Sequence, residues 1–215
     1  MRNQLSLIAA GLLLAACTEV STKYRVDEHG HLQKLGVVAR HGTRASYRIN
    51  NSIFEYDLRS IGGALLPVTD SAIALRPGQS KIPFSAQPDA TLFGGVRETF
   101  SGNIGRPNKT DLAVDDLRSE ARPGGETEHM FFPEAKPSAV DYQTINGRRW
   151  LVTTKFEDDA KQIVRGQVWW TVIDGFLVTF NVQIYEDAPR DAKWRNERVE
   201  KLQKLVSAFR YSRTR

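Results

Sequence analysis

Two dipeptides in the last third of the chain narrow its fold more than any other feature. Asn146-Gly147 and Asp174-Gly175 each stand between runs that alternate apolar and polar residues. A two-residue hairpin of the type I′ kind needs positive φ at both central positions, which Asn, Asp and Gly tolerate best. Before and after the first pair stand VDYQTI and RRWLVTTKF; around the second stand GQVWWTVI and FLVTFNVQIY. Strand side chains alternate, so Trp150, Val152, Thr154 and Phe156 share one face, as do Phe176, Val178, Phe180, Val182 and Ile184. The expectation is an antiparallel meander of at least four strands from Tyr142 to Tyr185.

The period then changes. Trp194, Val199, Leu202, Leu205, Val206 and Phe209 fall at mostly helical spacing. Asp187 is placed to cap this helix and Pro189 suits its first turn. Arg190, Lys193, Arg195, Arg198, Lys201 and Lys204 are expected on its outer side. A helix with such a stripe must bury it on the sheet, so the fold class is α+β: an antiparallel meander sheet packed by a C-terminal helix.

Upstream, the runs LGVVA, SIFEYDL, SAIAL, KIPF and ATLFGGV read as short strands, separated by Asn50-Asn51, Gly62-Gly63, Pro77-Gly78 and Pro88-Asp89. Residues 101–139 are rich in charge, glycine and proline. They read as a long polar excursion holding one short helix near Thr110 to Glu120.

The N-terminus sets the compartment. Arg2 precedes a short apolar run, Leu5 to Leu14, which is brief for a membrane span and ends Leu14-Ala15-Ala16-Cys17. This resembles the lipobox of bacterial lipoproteins. The resemblance implies cleavage before Cys17 and acylation there, including palmitate. Thr18, not Asp, follows the cysteine, which in that family favours the periplasmic face of the outer membrane. Cys17 is the sole cysteine, so an intrachain disulfide is impossible. The expected organisation is a signal peptide at 1–16, an acylated tether at 17–33 and a single α+β domain at 34–215. About 200 residues suit one domain. The net charge of +5 suits an acidic partner or an anionic lipid surface, and export argues against nucleic acid.

Two further resemblances bear on function. Arg40-His41-Gly42-Thr43-Arg44 is similar to the R-H-G-x-R signature of histidine acid phosphatases. That resemblance implies a phosphoryl-accepting His41, Arg40 and Arg44 as phosphate clamps, and a mostly parallel sheet. The family's second histidine, commonly followed by an acidic residue, lacks a counterpart: His129 is the only later histidine, and Glu128 precedes it. His29 and His31, beside Asp27 and Glu28, read as linker rather than metal ligands. No cofactor or metal is expected. The ending Leu205-Val206-Ser207-Ala208-Phe209-Arg210 resembles the hydrophobic-Ser-Phe close of PsbP-like and DcrB-like domains, with Ala208 inserted, and the likeness extends over residues 140–211. It implies a curved antiparallel sheet flanked by helices, in a family whose members mostly bind proteins or assist assembly.

The leading expectation is a non-enzymatic, outer-membrane-anchored lipoprotein that binds another protein. A specific form is an immunity protein against a toxin delivered to the periplasm by type VI secretion. Glu126, Glu128, Phe131 and Phe132 of the polar excursion are the candidate binding residues. An envelope assembly or stress lipoprotein is one alternative. A phosphomonoesterase built on Arg40, His41 and Arg44 is the other.

Overall fold

Both dipeptide turns form as their chemistry requires. Asn146 and Gly147 have φ of 52° and 72°, and Asp174 and Gly175 have 49° and 74°. The computed structural model describes residues 21–26, 32–38, 44–61, 72–88, 96–120, 139–158, 160 and 163–214. In chain order the strands are β1 (Ser21–Val26), β2 (Leu32–Val38), β3 (Arg44–Ile49), β4 (Ser52–Asp57), β5 (Ala72–Ile73), β6 (Ser80–Ala86) and β7 (Glu98–Gly105). There follow α1 (Leu117–Glu120), β8 (Ala139–Ile145), β9 (Arg148–Asp158), β10 (Ile163–Ile173), β11 (Phe176–Ile184), α2 (Ala192–Ala208) and β12 (Arg210–Arg213). The protein is α+β, mostly antiparallel sheet with a C-terminal helix.

Among the described residues the main sheet has six strands in the order β6-β7-β11-β10-β9-β8. Strands β8 to β11 pair in sequence, with Ile145 opposite Arg148 and Ile173 opposite Phe176. The sheet goes beyond a meander: the β6–β7 hairpin adds to the free side of β11. A second sheet runs β12-β4-β3-β5. The β3–β4 hairpin turns at Asn50, whose φ is 52°.

One face of the main sheet carries Trp150, Val152, Trp169, Phe176, Val178, Phe180, Val182 and Ile184, all buried. They pack with Leu202, Leu205 and Val206 of α2 and with Phe54 and Tyr56 of β4. Fully burying a side chain of this size contributes roughly 1.5–3 kcal/mol. The opposite face is also covered. Leu151, Val168, Trp170 and Leu177 meet Leu112 and Leu117, from the segment that enters α1.

Several expectations are corrected. The presumed tether, 17–33, contains β1 and the start of β2, which pair antiparallel. Its polarity hid the period-two run Thr22, Tyr24 and Val26, three good strand formers. The presumed excursion, 101–139, begins inside β7 and ends inside β8. Its helical part is a 3₁₀ turn at Val114–Asp116 followed by α1. Asp116 closes that turn by accepting from the Ala113 N–H at 3.1 Å. The helix cap of α2 is Asp191, not Asp187: its carboxylate accepts from the Lys193 N–H at 3.1 Å. Arg195 and Arg198 lie on the buried side of α2, not the outer one.

Strand β7 owes its place to a glycine. Gly102 pairs opposite Phe84, and a methyl group built on it would lie 2.3 Å from Phe84 Cε1. The ring occupies the space a side chain would need. Gly102→Ala is expected to cost about 1–3 kcal/mol through forced repacking. Chemical denaturation would check this; an unchanged midpoint would mean the Phe84 ring is free to move.

Candidate oxyanion-binding cavity

The second sheet ends in a cluster of charge. Asp57, the last residue of β4, accepts from the Arg59 backbone N–H at 3.2 Å and so caps the 3₁₀ turn Leu58–Ser60. The Arg59 side chain also forks onto this carboxylate, with Nε donating at 2.9 Å to one oxygen. Arg44 opens β3 directly opposite Asp57 and lies 3.9 Å from it. Arg210 opens β12 opposite Glu55. Its guanidinium donates to the carbonyls of Ser207 at 3.0 Å and Phe209 at 2.9 Å, covering the C-terminal end of α2.

These groups surround an open cavity of about 360 Å³, whose wall includes Tyr56. Arg44 and Arg59 are well exposed, at 79% and 68% of their side chains. Tyr56 is buried, and its hydroxyl has no hydrogen-bond partner among the described residues. Burial pushes its phenol well above the usual range, with Tyr47 adding to the effect, so it stays protonated. Three guanidiniums against Glu55 and Asp57 leave a cationic rim. Guanidinium forks match carboxylate and phosphate oxygens, so this arrangement suits an oxyanion.

The hydrogen bonds from Arg59 hold the Asp57 carboxyl below its ordinary pKa, against the opposing effect of burial. A carboxylate with a depressed folded pKa stabilises the fold above its unfolded pKa and loses that contribution as pH falls through the folded one. Asp57→Asn is therefore expected to be less stable than the parent at neutral pH. The gap should close only below about pH 4. Urea midpoints of both proteins across pH would check this; a constant gap would remove Asp57 as the cause.

No family model matches the chain, and no curated protein matches it. Among solved structures it is similar to cyanobacterial PsbP (CyanoP) from Synechocystis sp. PCC 6803. The two share 15% identity over 80% of this chain and 94% of that chain, with a TM-score of 0.42.

Of the residues singled out from the sequence, Arg44 takes part in the cavity rim. It sits on a strand of an antiparallel hairpin, whereas the phosphatase resemblance implied a loop after a parallel strand. Strand β2, which contains the GVV run before that motif, likewise pairs antiparallel, with β1. Cys17, Arg40, His41, Glu126, Glu128, Phe131 and Phe132 lie outside the described residues. Arg59, Arg210 and Tyr56 were not legible as site residues. Only the Asp57-Leu58-Arg59 spacing hinted at a capped turn. Among the described residues no cluster of three His, Cys, Asp or Glu is placed to hold a metal, and no helix is long and apolar enough to cross a membrane.

Proposed function

We propose that this chain is a lipid-anchored periplasmic protein that binds an acidic face of a partner protein. The observation that carries the reading is the cationic rim of Arg44, Arg59 and Arg210 around an open cavity. Exposed arginines at a rim steer and orient an acidic partner more than they add raw affinity. The anchor is read from Leu14-Ala15-Ala16-Cys17, with acylation of Cys17 on the periplasmic side of the outer membrane. Two lipid signals or more give stable attachment where one chain does not. The PsbP-like and DcrB-like pattern of residues 140–211 fits a protein-binding role.

The specific form proposed is an immunity protein that blocks a toxin delivered by type VI secretion. Glu126, Glu128, Phe131 and Phe132 would then supply further contacts. The test is affinity capture with the full chain, tagged at its C-terminus and extracted in mild detergent. Bait with Arg44→Glu and Arg59→Gln is run beside the parent. The expected result is one dominant acidic partner whose yield falls at least tenfold with the altered bait. Capture of a secreted hydrolase supports the immunity role, and capture of envelope machinery supports an assembly role instead. Equal capture by both baits, or no specific partner, would overturn the rim as a docking site. Phosphomonoester hydrolysis that disappears in His41→Ala would replace the binding role with the enzymatic one.

A further inference from the structure

A second cavity lies on the other side of Arg210, between the β8–β9 turn and the junction of α2 with β12. It has a volume of about 190 Å³. Its charged lining residues are Arg148 and Arg210, and no carboxylate lines it among the described residues. Apolar walls come from Ile145, Val206 and Phe209.

The terminal carbonyls of α2 attract cations, so both arginines could be serving the helix end. The hydrogen bonds say otherwise for one of them. Asn146 donates to the Ser207 carbonyl at 2.7 Å, and Arg210 shares that carbonyl and reaches that of Phe209. Arg148 makes none of these bonds. Its guanidinium carbon sits 5.5 Å from the centre of the Phe209 ring. It forms no ion pair or hydrogen bond with any described residue, and its partial burial lowers its pKa. A half-buried cation without a counter-charge is costly, and burial makes it more so.

A second unpartnered donor belongs to a residue of the same wall. Trp150 is 1% exposed, and its indole N–H has no acceptor among the described residues. Two other buried indoles are satisfied: Trp169 donates to Gln167 at 2.8 Å and Trp170 to Thr153 at 3.0 Å. An orphaned buried donor costs about 1–3 kcal/mol. Buried orphans of this kind call for an explanation such as an absent bound group.

We propose that this cavity binds a carboxylate carrying a short apolar group, with Arg148 and the Trp150 indole N–H holding its oxygens. A planar monoanion with two oxygens matches one guanidinium and one neutral N–H. Asn146, Arg210 and Tyr211 already donate to the end of α2 and to Asp174, so the further oxygens of phosphate would compete with those bonds or meet Ile145, Val206 and Phe209. The apolar group would pack on those same walls. Such a carboxylate comes from a free short-chain acid or from the C-terminus of a polypeptide that ends in an apolar residue. This site is independent of the cationic rim and of the function proposed for it.

The test follows the indole N–H resonances of the full chain in detergent by nuclear magnetic resonance. N-acetyl-leucine, which mimics a chain terminus, isovalerate, N-acetyl-leucinamide and inorganic phosphate are titrated in turn. The expected result is a saturable shift of the Trp150 resonance with the two acids and none with the amide. Tighter binding of N-acetyl-leucine identifies a chain terminus as the source; equal binding identifies a free acid. Arg148→Gln should weaken binding at least tenfold, and Arg148→Lys less, because it keeps the charge but loses the fork. No shift, an equal response to the neutral amide, preferential binding of phosphate, or unchanged affinity in Arg148→Gln would each overturn the assignment. The amide comparison uses the parent protein and stands even where a variant fails to fold.

Discussion

Arg198→Ala is expected to destabilise the protein by about 3–5 kcal/mol, because it takes the guanidinium away from a buried carboxylate. Glu98, the first residue of β7, is 0% exposed, and Arg198 is 7% exposed. Arg198 Nε donates to the Glu98 carboxylate at 2.7 Å. The guanidinium also lies 3.6 Å from the centre of the Trp194 ring and donates to the Trp194 carbonyl at 3.2 Å. Truncation removes all of this at once. Breaking such a pair is costly, yet replacing both members with apolar groups of similar volume is often neutral or better. The double variant Glu98→Leu, Arg198→Met should therefore recover most of the loss seen in the single one. Denaturant midpoints of parent, single and double variants would show it. A single-variant loss under about 1 kcal/mol would sink the buried pairing.

The second large effect is expected at Phe209, the residue that follows α2. Phe209→Ala should cost about 3–5 kcal/mol. Its ring centre lies 5.2 Å from Phe180, 5.5 Å from Tyr56 and 6.1 Å from Trp150, while Phe54 stacks at 6.5 Å. These partners come from both sheets, so the ring joins the two halves of the core. Each aromatic pair adds roughly 0.5–1.5 kcal/mol beyond its buried area. Phe209→Leu should lose less, since it keeps most of the volume. Thermal and urea unfolding would check both. A mild effect of the alanine variant would mean that α2 settles into the space left behind.

These two residues also show what a single sequence could and could not reveal. Phe209 was legible, because apolar residues at helical spacing leave little choice of face. The turns at Asn146 and Asp174 were legible for the same kind of reason: only certain residues accept positive φ twice in succession. Arg198 was not. Arg195, Arg198, Leu202, Leu205, Val206 and Phe209 lie on one stripe, but an arginine on that stripe reads as solvated unless its partner is known. Those partners, Glu98 and Glu157, lie in distant strands. Strand β7 was missed because Ser101, Gly102, Asn103 and Gly105 look like loop residues, and Gly102 is there to admit the Phe84 ring. The cavity rim was mostly illegible too. Arg44 and Arg59 meet at Asp57 through the β3–β4 hairpin, but Arg210 lies much further along the chain and joins them only because β12 returns to β4.

That return has a consequence for how the chain comes to be whole. Arg213 pairs opposite Ser52, so the second sheet needs both an early segment and the last few residues. Contacts this distant in sequence close late. Until they close, β4 offers a row of unsatisfied backbone donors and acceptors, the kind of edge on which another strand grows. A nascent chain, or one trimmed by a protease near residue 210, is thus a template for adding a neighbour's strand. Once paired, β12 is the edge itself, only four residues long and carrying Arg210 and Arg213, a short charged rim on which a neighbour's strand gains little.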